Sequence, residues 1–163
     1  GLDTLIHAMT HLRDTRMRLR IAGTGDPDYA DTLRRTAISL GVMDSIDWSR
    51  NPADPASLIP GCHFGVLPSS VPEAFGMANL EYMAAGRPQI CTFNGAQGEY
   101  LTPGLEAIEV PTSDPRALAE AMRTLYADKE LRQRMGEAAA RRYAESLAWP
   151  HFIRRIENIY AKT

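Results

Sequence analysis

Two carboxylates eight positions apart, Glu73 and Glu81, are the residues of this chain best placed to do chemistry. A helix is predicted after Gly76, because apolar residues recur there at helical spacing: Met77, Leu80, Met83 and Ala84. The N–H groups of residues 75–79 would be the unpaired donors of its first turn, which can seat a phosphate or another anion. Carboxylates accept hydrogen bonds from sugar hydroxyls. The segment therefore predicts a ligand that carries both groups, although by composition alone Glu81 would be an ordinary solvated helix residue.

The segment from Glu73 to Pro88 resembles the E-x7-E motif of the retaining GT-B glycosyltransferases, in the large group 1 or family 4 branch. The usual form of that motif reads roughly E-G-F-G-x-x-x-x-E-A-M-A-x-G-x-P-V. The chain matches it at Glu73, Phe75, Gly76, Glu81, Met83, Ala84, Gly86 and Pro88. It departs at Ala74, Tyr82 and Gln89, which removes no donor or acceptor that the motif needs. Four further stretches follow the family pattern in order, so the resemblance covers nearly all of the chain: residues 1–8, 19–25, 67–70 and 94–100.

This resemblance implies roles for individual residues. It implies that Glu81 accepts hydrogen bonds from the ribose hydroxyls of a nucleotide and that Glu73, the candidate catalytic residue, lies near the hydroxyls of the donor sugar. Both side chains can face one ligand if Glu73 lies in a loop that folds back over the helix start. The backbone expected to help hold the sugar or the diphosphate belongs to Phe75, Gly76 and Met77.

Two further loops are candidates for donor binding, because ligands of open α/β sheets bind beyond the carboxyl ends of the strands. Gly23 and Gly25 follow a predicted strand, and they could let a ligand approach the backbone or could serve only a tight turn. Ser49 and Arg50 follow the strand whose end meets the nucleobase in the family. We therefore include these four residues in the predicted donor site.

No metal site is expected from the sequence. Asp26-Pro27-Asp28 spells the D-x-D of the metal-dependent GT-A glycosyltransferases, but an Asp followed by Pro is also a helix N-cap followed by the first helical residue. His7 and His11 have the spacing of a zinc pair without a third ligand in sequence. We expect no cofactor, since the nucleoside diphosphate sugar that the resemblance implies is a substrate.

Composition limits the classes of partner and compartment. The 163 residues carry a net charge of −2, which argues against a nucleic-acid partner. No apolar run approaches the ~20 residues of a membrane-spanning helix, although the acceptor of a longer protein could be a peripheral membrane molecule. The two cysteines, Cys62 and Cys91, suggest a reducing compartment, and no signal peptide is visible. We expect a cytoplasmic protein.

Strands and helices alternate along the chain. Strands are predicted at 17–22, 45–48, 63–67, 89–92 and 107–110, and helix starts at three Asp-Pro pairs: 26–27, 54–55 and 114–115. This alternation predicts an α/β fold with a Rossmann-like, doubly wound parallel sheet. By resemblance it would be the C-terminal half of a GT-B fold, with a helical C-terminal segment at 115–126, 129–143 and 149–161.

The last predicted helix has a wide apolar arc: Phe152, Ile153, Ile156, Ile159 and Tyr160. In the family this helix crosses back to the other domain. The chain also starts abruptly at Gly1, within a helical pattern. We therefore expect residues 1–163 to form one nucleotide-sugar-binding domain, the C-terminal domain of a two-domain enzyme whose N-terminal acceptor domain is absent.

The resemblance implies a hexosyl- or glycosyltransferase of polysaccharide biosynthesis, which transfers a sugar from a nucleoside diphosphate sugar with retention of configuration. The family stabilises the departing diphosphate with an Arg and a Lys ahead of the G-x-D-x-L-I segment, and neither is in this chain. The fragment alone is therefore expected to be inactive. Two alternatives stay open: a non-catalytic nucleotide- or sugar-phosphate-binding α/β module, and a sugar-nucleotide epimerase of GT-B architecture.

Overall fold

The computed structural model describes residues 1–50 and 54–161. Its strands are β1 (Leu19–Gly23), β2 (Ile46–Arg50), β3 (Gly65–Leu67), β4 (Gln89–Cys91) and β5 (Ala107–Glu109). Its helices are α1 (Leu2–Met9), α2 (Pro27–Ser39), α3 (Met77–Ala84), α4 (Pro115–Ala127), α5 (Lys129–Arg142) and α6 (Trp149–Tyr160). Strand and helix alternate up to β5, and the remainder is helical, as the sequence predicts. None of the described helices has the length and apolar content needed to cross a membrane.

In each of the three Asp-Pro pairs, the aspartate side chain caps the start of the helical segment that follows. The carboxylates of Asp26, Asp54 and Asp114 each accept a hydrogen bond from the N–H group two residues further on, at 2.8, 3.1 and 3.0 Å. The second of these segments, Pro55–Gly61, is a 3₁₀ helix with Pro60 inside it rather than an α-helix. Because proline lacks an N–H group, Pro60 cannot extend an α-helical ladder. The three predicted helix starts are confirmed.

All strand pairs are parallel, as predicted, but the described residues form two sheets instead of one. β1 pairs with β2 from Leu19↔Ile46 to Gly23↔Arg50. β4 lies between β3 and β5 in the second sheet. The outer strands of the two sheets therefore each have one edge without a strand partner among the described residues: β1, β2, β3 and β5.

Two apolar cores cover the opposite faces of the three-stranded sheet. Ile90 belongs to a core with α1, α2 and α4, whereas its neighbour Cys91 belongs to a core with α3 and α5. Val66 and Leu67 on β3 divide in the same way. Successive residues of a strand point to opposite faces, so helices cover both sides of this sheet. The predicted doubly wound α/β class is confirmed.

Candidate functional site

The loop that carries Glu73 follows β3 and leads into α3, at the carboxyl end of the sheet. Glu73 is half-buried, and the hydroxyl group of Ser69 donates a hydrogen bond to its Oε2 atom at 3.1 Å. No lysine or arginine of the described residues forms an ion pair with this carboxylate. Its remaining lone pairs are therefore available to hydroxyl groups of a ligand.

The loop after β4 fixes the backbone of Glu73. The N–H group of Ala96 donates to the carbonyl oxygen of Glu73 at 3.1 Å. A Cβ atom at Gly95 would lie 2.2 Å from that oxygen, so only glycine allows the two loops to approach this closely. The amide of Asn94 also donates to the carbonyl oxygens of Ser69 and Val71, at 2.9 and 3.0 Å. A second loop thus fixes the backbone that carries the candidate catalytic carboxylate.

The start of α3 has no side-chain cap. Gly76 precedes it in the left-handed conformation, with φ of 76°. Phe75 and Met77 on either side are exposed apolar residues. Unpaired N–H groups at a helix start attract anions, so this turn can hold a phosphate group beside Glu73. The structure therefore places Glu73, Phe75, Gly76 and Met77 in one loop and helix start.

A buried polar network lies beneath this loop. Asn79, Gln89 and Gln97 have no exposed surface, and Tyr100 is 2% exposed. Tyr100 donates to the carbonyl oxygen of Phe75, and the amide of Asn79 donates to the Tyr100 hydroxyl at 3.0 Å. Burial raises the pKa of Tyr100, which keeps its hydroxyl group protonated as a donor.

Sequence reasoning did not identify the network, although Gln89 stands out as a polar residue in a strand of the core. Gln97 accepts a hydrogen bond from the N–H group of Gly95 at 2.9 Å, so it supports the second loop as well. Asn79 Oδ1, Gln89 Oε1 and Gln97 Nε2 have no hydrogen-bond partner among the described residues.

Glu81 lies in the second turn of α3 and is exposed. It forms no ion pair within residues 1–50 and 54–161. Its neighbour Tyr82, one of the departures from the motif, packs against Gly65 of β3, where a Cβ atom would lie 2.3 Å from the ring. The Tyr82–Gly65 contact seats α3 on the sheet and leaves Glu81 on its outer surface.

A second part of the candidate site is a cavity of about 330 Å³ at the ends of β1 and β2. Gly23, Gly25 and Ser49 line it, and nothing lies within 4 Å of a Cβ atom built at either glycine. Gly23 has φ of 142°, a conformation that favours glycine. Arg50 ends β2, but its side chain lies outside the described part of the chain. Three of the four predicted residues are thus brought together.

Aromatic and cationic groups that the sequence prediction did not include complete this cavity. The guanidinium carbon of Arg34 lies 5.1 Å from the centre of the Trp48 ring, and Arg34 pairs with Asp31 at 2.9 Å. The indole Nε1 of Trp48 is buried without an acceptor among the described residues.

Asp26 and Asp28, the two carboxylates of the D-x-D sequence, belong to no cluster of potential metal ligands among the described residues. Asp26 accepts hydrogen bonds from the N–H groups of Asp28 and Tyr29, at 2.8 and 3.0 Å, and caps α2. His7 lies 2.9 Å from the carbonyl oxygen of Asp3 within its own helix. In the described part of the chain, no three His, Cys, Asp or Glu side chains are grouped as metal ligands.

Comparison with known proteins identifies relatives over most of the chain. Residues 1–142 match the model of the family described as glycosyl transferases, group 1. The chain is 28% identical to the D-inositol 3-phosphate glycosyltransferase of Corynebacterium efficiens, covering 99% of this chain and 40% of the relative. It is 30% identical to the O-antigen chain mannosyltransferase C of Escherichia coli, covering 98% of this chain and 43% of the relative. The chain spans about two fifths of the length of these relatives.

Solved structures share the fold. A glycosyltransferase from Rickettsia africae superposes with a TM-score of 0.92 at 21% identity, covering 99% of this chain and 44% of that protein. Anabaena Alr3699/HepE, solved with UDP and glucose, superposes with a TM-score of 0.92 at 19% identity, covering 98% of this chain and 44% of that protein. The C-terminal domain of the group 1 protein LpcC from Francisella tularensis superposes with a TM-score of 0.78 at 21% identity, covering 88% of this chain and 77% of that domain.

Proposed function

Because this chain belongs to the group 1 glycosyl transferases and has the Rossmann-like fold of the C-terminal half of a GT-B glycosyltransferase, we propose that it binds the nucleoside diphosphate sugar donor. In the full enzyme, the sugar passes from this donor to an acceptor with retention of configuration. The acceptor is held by an N-terminal domain across a cleft. The two cysteines are free thiols, which supports the proposed cytoplasmic location.

One observation carries this proposal: the uncapped start of α3 lies directly after the loop that holds Glu73. Its N–H groups bind the diphosphate, and Phe75, Gly76 and Met77 supply the backbone around it. Glu73, oriented by Ser69, accepts hydrogen bonds from hydroxyls of the donor sugar. Glu81, exposed and without an ion pair among the described residues, accepts hydrogen bonds from the ribose.

The cavity at the ends of β1 and β2 receives the nucleobase in this proposal. Its volume of about 330 Å³ and its open glycine wall at Gly23 and Gly25 suit a planar ring. Trp48 contributes an aromatic side chain to its lining, and Ser49 adds a polar group. The Anabaena protein was solved with UDP, which supports a nucleotide as the ligand class.

The proposed chemistry requires stabilisation of the leaving group. As the bond to the sugar breaks, positive charge develops on the sugar ring and negative charge on the departing diphosphate. The helix start at Gly76 and Met77 places partial positive charge at that diphosphate. The Glu73 carboxylate stays near the sugar ring, where it positions the hydroxyls and counters the developing positive charge.

The experiment that tests this function is a calorimetric titration of the protein with nucleoside diphosphates, carried out for wild type and Glu81→Ala. Loss of hydrogen bonds to a charged acceptor should weaken binding by about 1–3 kcal/mol. Glu120→Ala is the matched control, because Glu120 is exposed on α4, outside both parts of the site. Equal affinity of wild type and Glu81→Ala would remove Glu81 from the site.

A further inference from the structure

A second cavity, of about 350 Å³, lies at the amino ends of β3 and β4. His63 lies two residues before β3, and Arg87 two residues before β4. The donor site proposed above lies at the carboxyl ends of the same strands. The two sites are therefore on opposite edges of the sheet, and the second one has no part in the function proposed above.

Positive charge dominates this cavity. Arg87, Lys129 and Arg132 line it, together with the imidazole of His63. Its one carboxylate, Glu137, accepts a hydrogen bond from the Gln133 amide at 3.0 Å. Within residues 1–50 and 54–161, none of the three permanent cations forms an ion pair. A concave surface with uncompensated positive charge concentrates anions.

The two arginines are held in place by backbone carbonyl groups. Nη2 of Arg87 donates to the carbonyl oxygen of Pro60 at 2.7 Å. Nη1 of Arg132 donates to the carbonyl oxygens of Leu125 and Tyr126, at 2.5 and 2.8 Å, at the end of α4. Each guanidinium is anchored on one side and keeps further N–H groups. Such preorganised forks match the geometry of phosphate oxygens.

One of these N–H groups lacks an acceptor. Nε of Arg87 is buried, and no acceptor atom of the described residues reaches it. A buried donor without a partner costs free energy. A bound oxyanion in the cavity would offset the positive charge of Arg87, Lys129 and Arg132.

A close backbone contact fixes the two sides of the cavity relative to each other. A Cβ atom at Gly136 of α5 would lie 2.3 Å from the carbonyl oxygen of Gly86. α5 carries Lys129 and Arg132, and the turn at Gly86 carries Arg87. The glycine contact therefore sets the separation of the cations from both sides.

We propose that this cavity binds the phosphate group of a soluble phosphorylated small molecule. The phosphate lies between Arg87 on one side and Lys129 and Arg132 on the other. No large aliphatic or aromatic side chain lines the cavity among the described residues, which favours a soluble ligand over a lipid tail.

The test uses ¹H–¹⁵N correlation spectra of the protein titrated with inorganic diphosphate. The amides of Gly86 and Gly136 report on this cavity, and those of Gly76 and Met77 report on the donor loop. Saturable shifts at Gly86 and Gly136 are expected. Arg87→Gln and Lys129→Gln should each weaken that binding about tenfold, the cost of one charge-assisted hydrogen bond. Arg35→Gln, an exposed residue of α2, is the control and should leave the titration unchanged.

Three outcomes would overturn the proposal. Shifts confined to Gly76 and Met77 would support the donor site and eliminate the second site. Shifts at Gly86 and Gly136 that survive Lys129→Gln in a folded protein would show that the cations do not bind the anion. Co-sedimentation with phosphatidylglycerol vesicles, lost in Lys129→Gln and without any shift from diphosphate, would assign the cavity to a lipid headgroup.

Discussion

The Tyr100 hydroxyl donates a hydrogen bond to the carbonyl oxygen of Phe75, although the two residues are 25 positions apart in the sequence. The same hydroxyl accepts from the Asn79 amide at 3.0 Å, and the rings of Tyr100 and Phe75 lie 5.2 Å apart. A side chain from beyond β4 thus sets the shape of the loop that leads into α3. Preorganised backbone donors bind an anion without a further ordering cost.

We predict that Tyr100→Phe lowers the free energy of unfolding by about 1–3 kcal/mol, because Asn79 and the Phe75 carbonyl group then lose a buried partner. Nucleoside diphosphate affinity should fall as well, since the loop loses its support. Denaturant unfolding and calorimetry measure the two effects. Tyr126→Phe, an exposed tyrosine of α4, is the control. A Tyr100→Phe protein as stable as wild type would show that the network has no energetic role.

We predict that nucleotide binding is unaffected by EDTA, because Asp26 uses its carboxylate to cap α2. Asp26→Ala should lower the free energy of unfolding by about 1 kcal/mol, and Asp26→Asn should retain most of that stability. Asp28→Ala separates the two explanations, since it removes the second carboxylate of the D-x-D sequence and leaves the cap. Loss of binding on chelation, or in Asp28→Ala, would point to a metal.

We predict that Cys91 resists thiol reagents in the folded protein at pH 8. Burial raises the pKa of its thiol to about 12, so the reactive thiolate is scarce at that pH. Cys62 is partly exposed and should react first. Titration with a chromogenic disulfide, with and without denaturant, counts the two thiols. Equal rates for both cysteines in the folded state would contradict this assignment.

The raised pKa of Cys91 also makes the stability of the protein depend on pH. The unfolded thiol ionises near its ordinary pKa of 9.0, whereas the folded one remains protonated up to about pH 12. The unfolded state therefore binds fewer protons in this interval, and the contribution of Cys91 to stability falls as the pH rises through it. Cys91→Ala should lessen the decline in unfolding free energy above pH 9, as denaturant unfolding across that range would show.

We predict that α6 contacts the N-terminal domain in the full enzyme. Phe152 and Tyr160 are 49% and 77% exposed in this chain, and no residue of α6 is buried. Phe152→Ser and Tyr160→Ser should reduce sugar transfer by the full enzyme while leaving nucleotide affinity unchanged, because closure of the two domains is affected. Glu157→Gln, on the same helix, is the control. Full transfer by both serine variants, or by residues 1–163 alone, would contradict the two-domain proposal.

Local chemistry made part of this molecule predictable. An Asp followed by Pro starts a helix wherever it occurs, so the starts at Asp26, Asp54 and Asp114 follow from the sequence. The α3 helix could be placed from apolar residues at helical spacing, although two of them, Met77 and Ala84, are exposed. Pro60 lies inside the second segment, which is a 3₁₀ helix, and an Asp-Pro pair at a helix start does not specify the type of helix that follows.

Long-range contacts made the rest unpredictable. The polar network joins Asn79 to Tyr100 through the fold, and nothing in local spacing indicates that these side chains meet. The same holds for Arg34 over Trp48, which come together only when α2 packs on the β1–β2 sheet. Division of the strands into two sheets depends on pairing partners, which a strand pattern does not specify.

The outer strands of the two sheets bear on how this chain behaves at high concentration. An unpaired strand edge offers a row of N–H and C=O groups on which a strand of another molecule can pair. β1 and β2 each offer five residues for such pairing, and β3 and β5 only three, so the two-stranded sheet is the longer template for a second molecule.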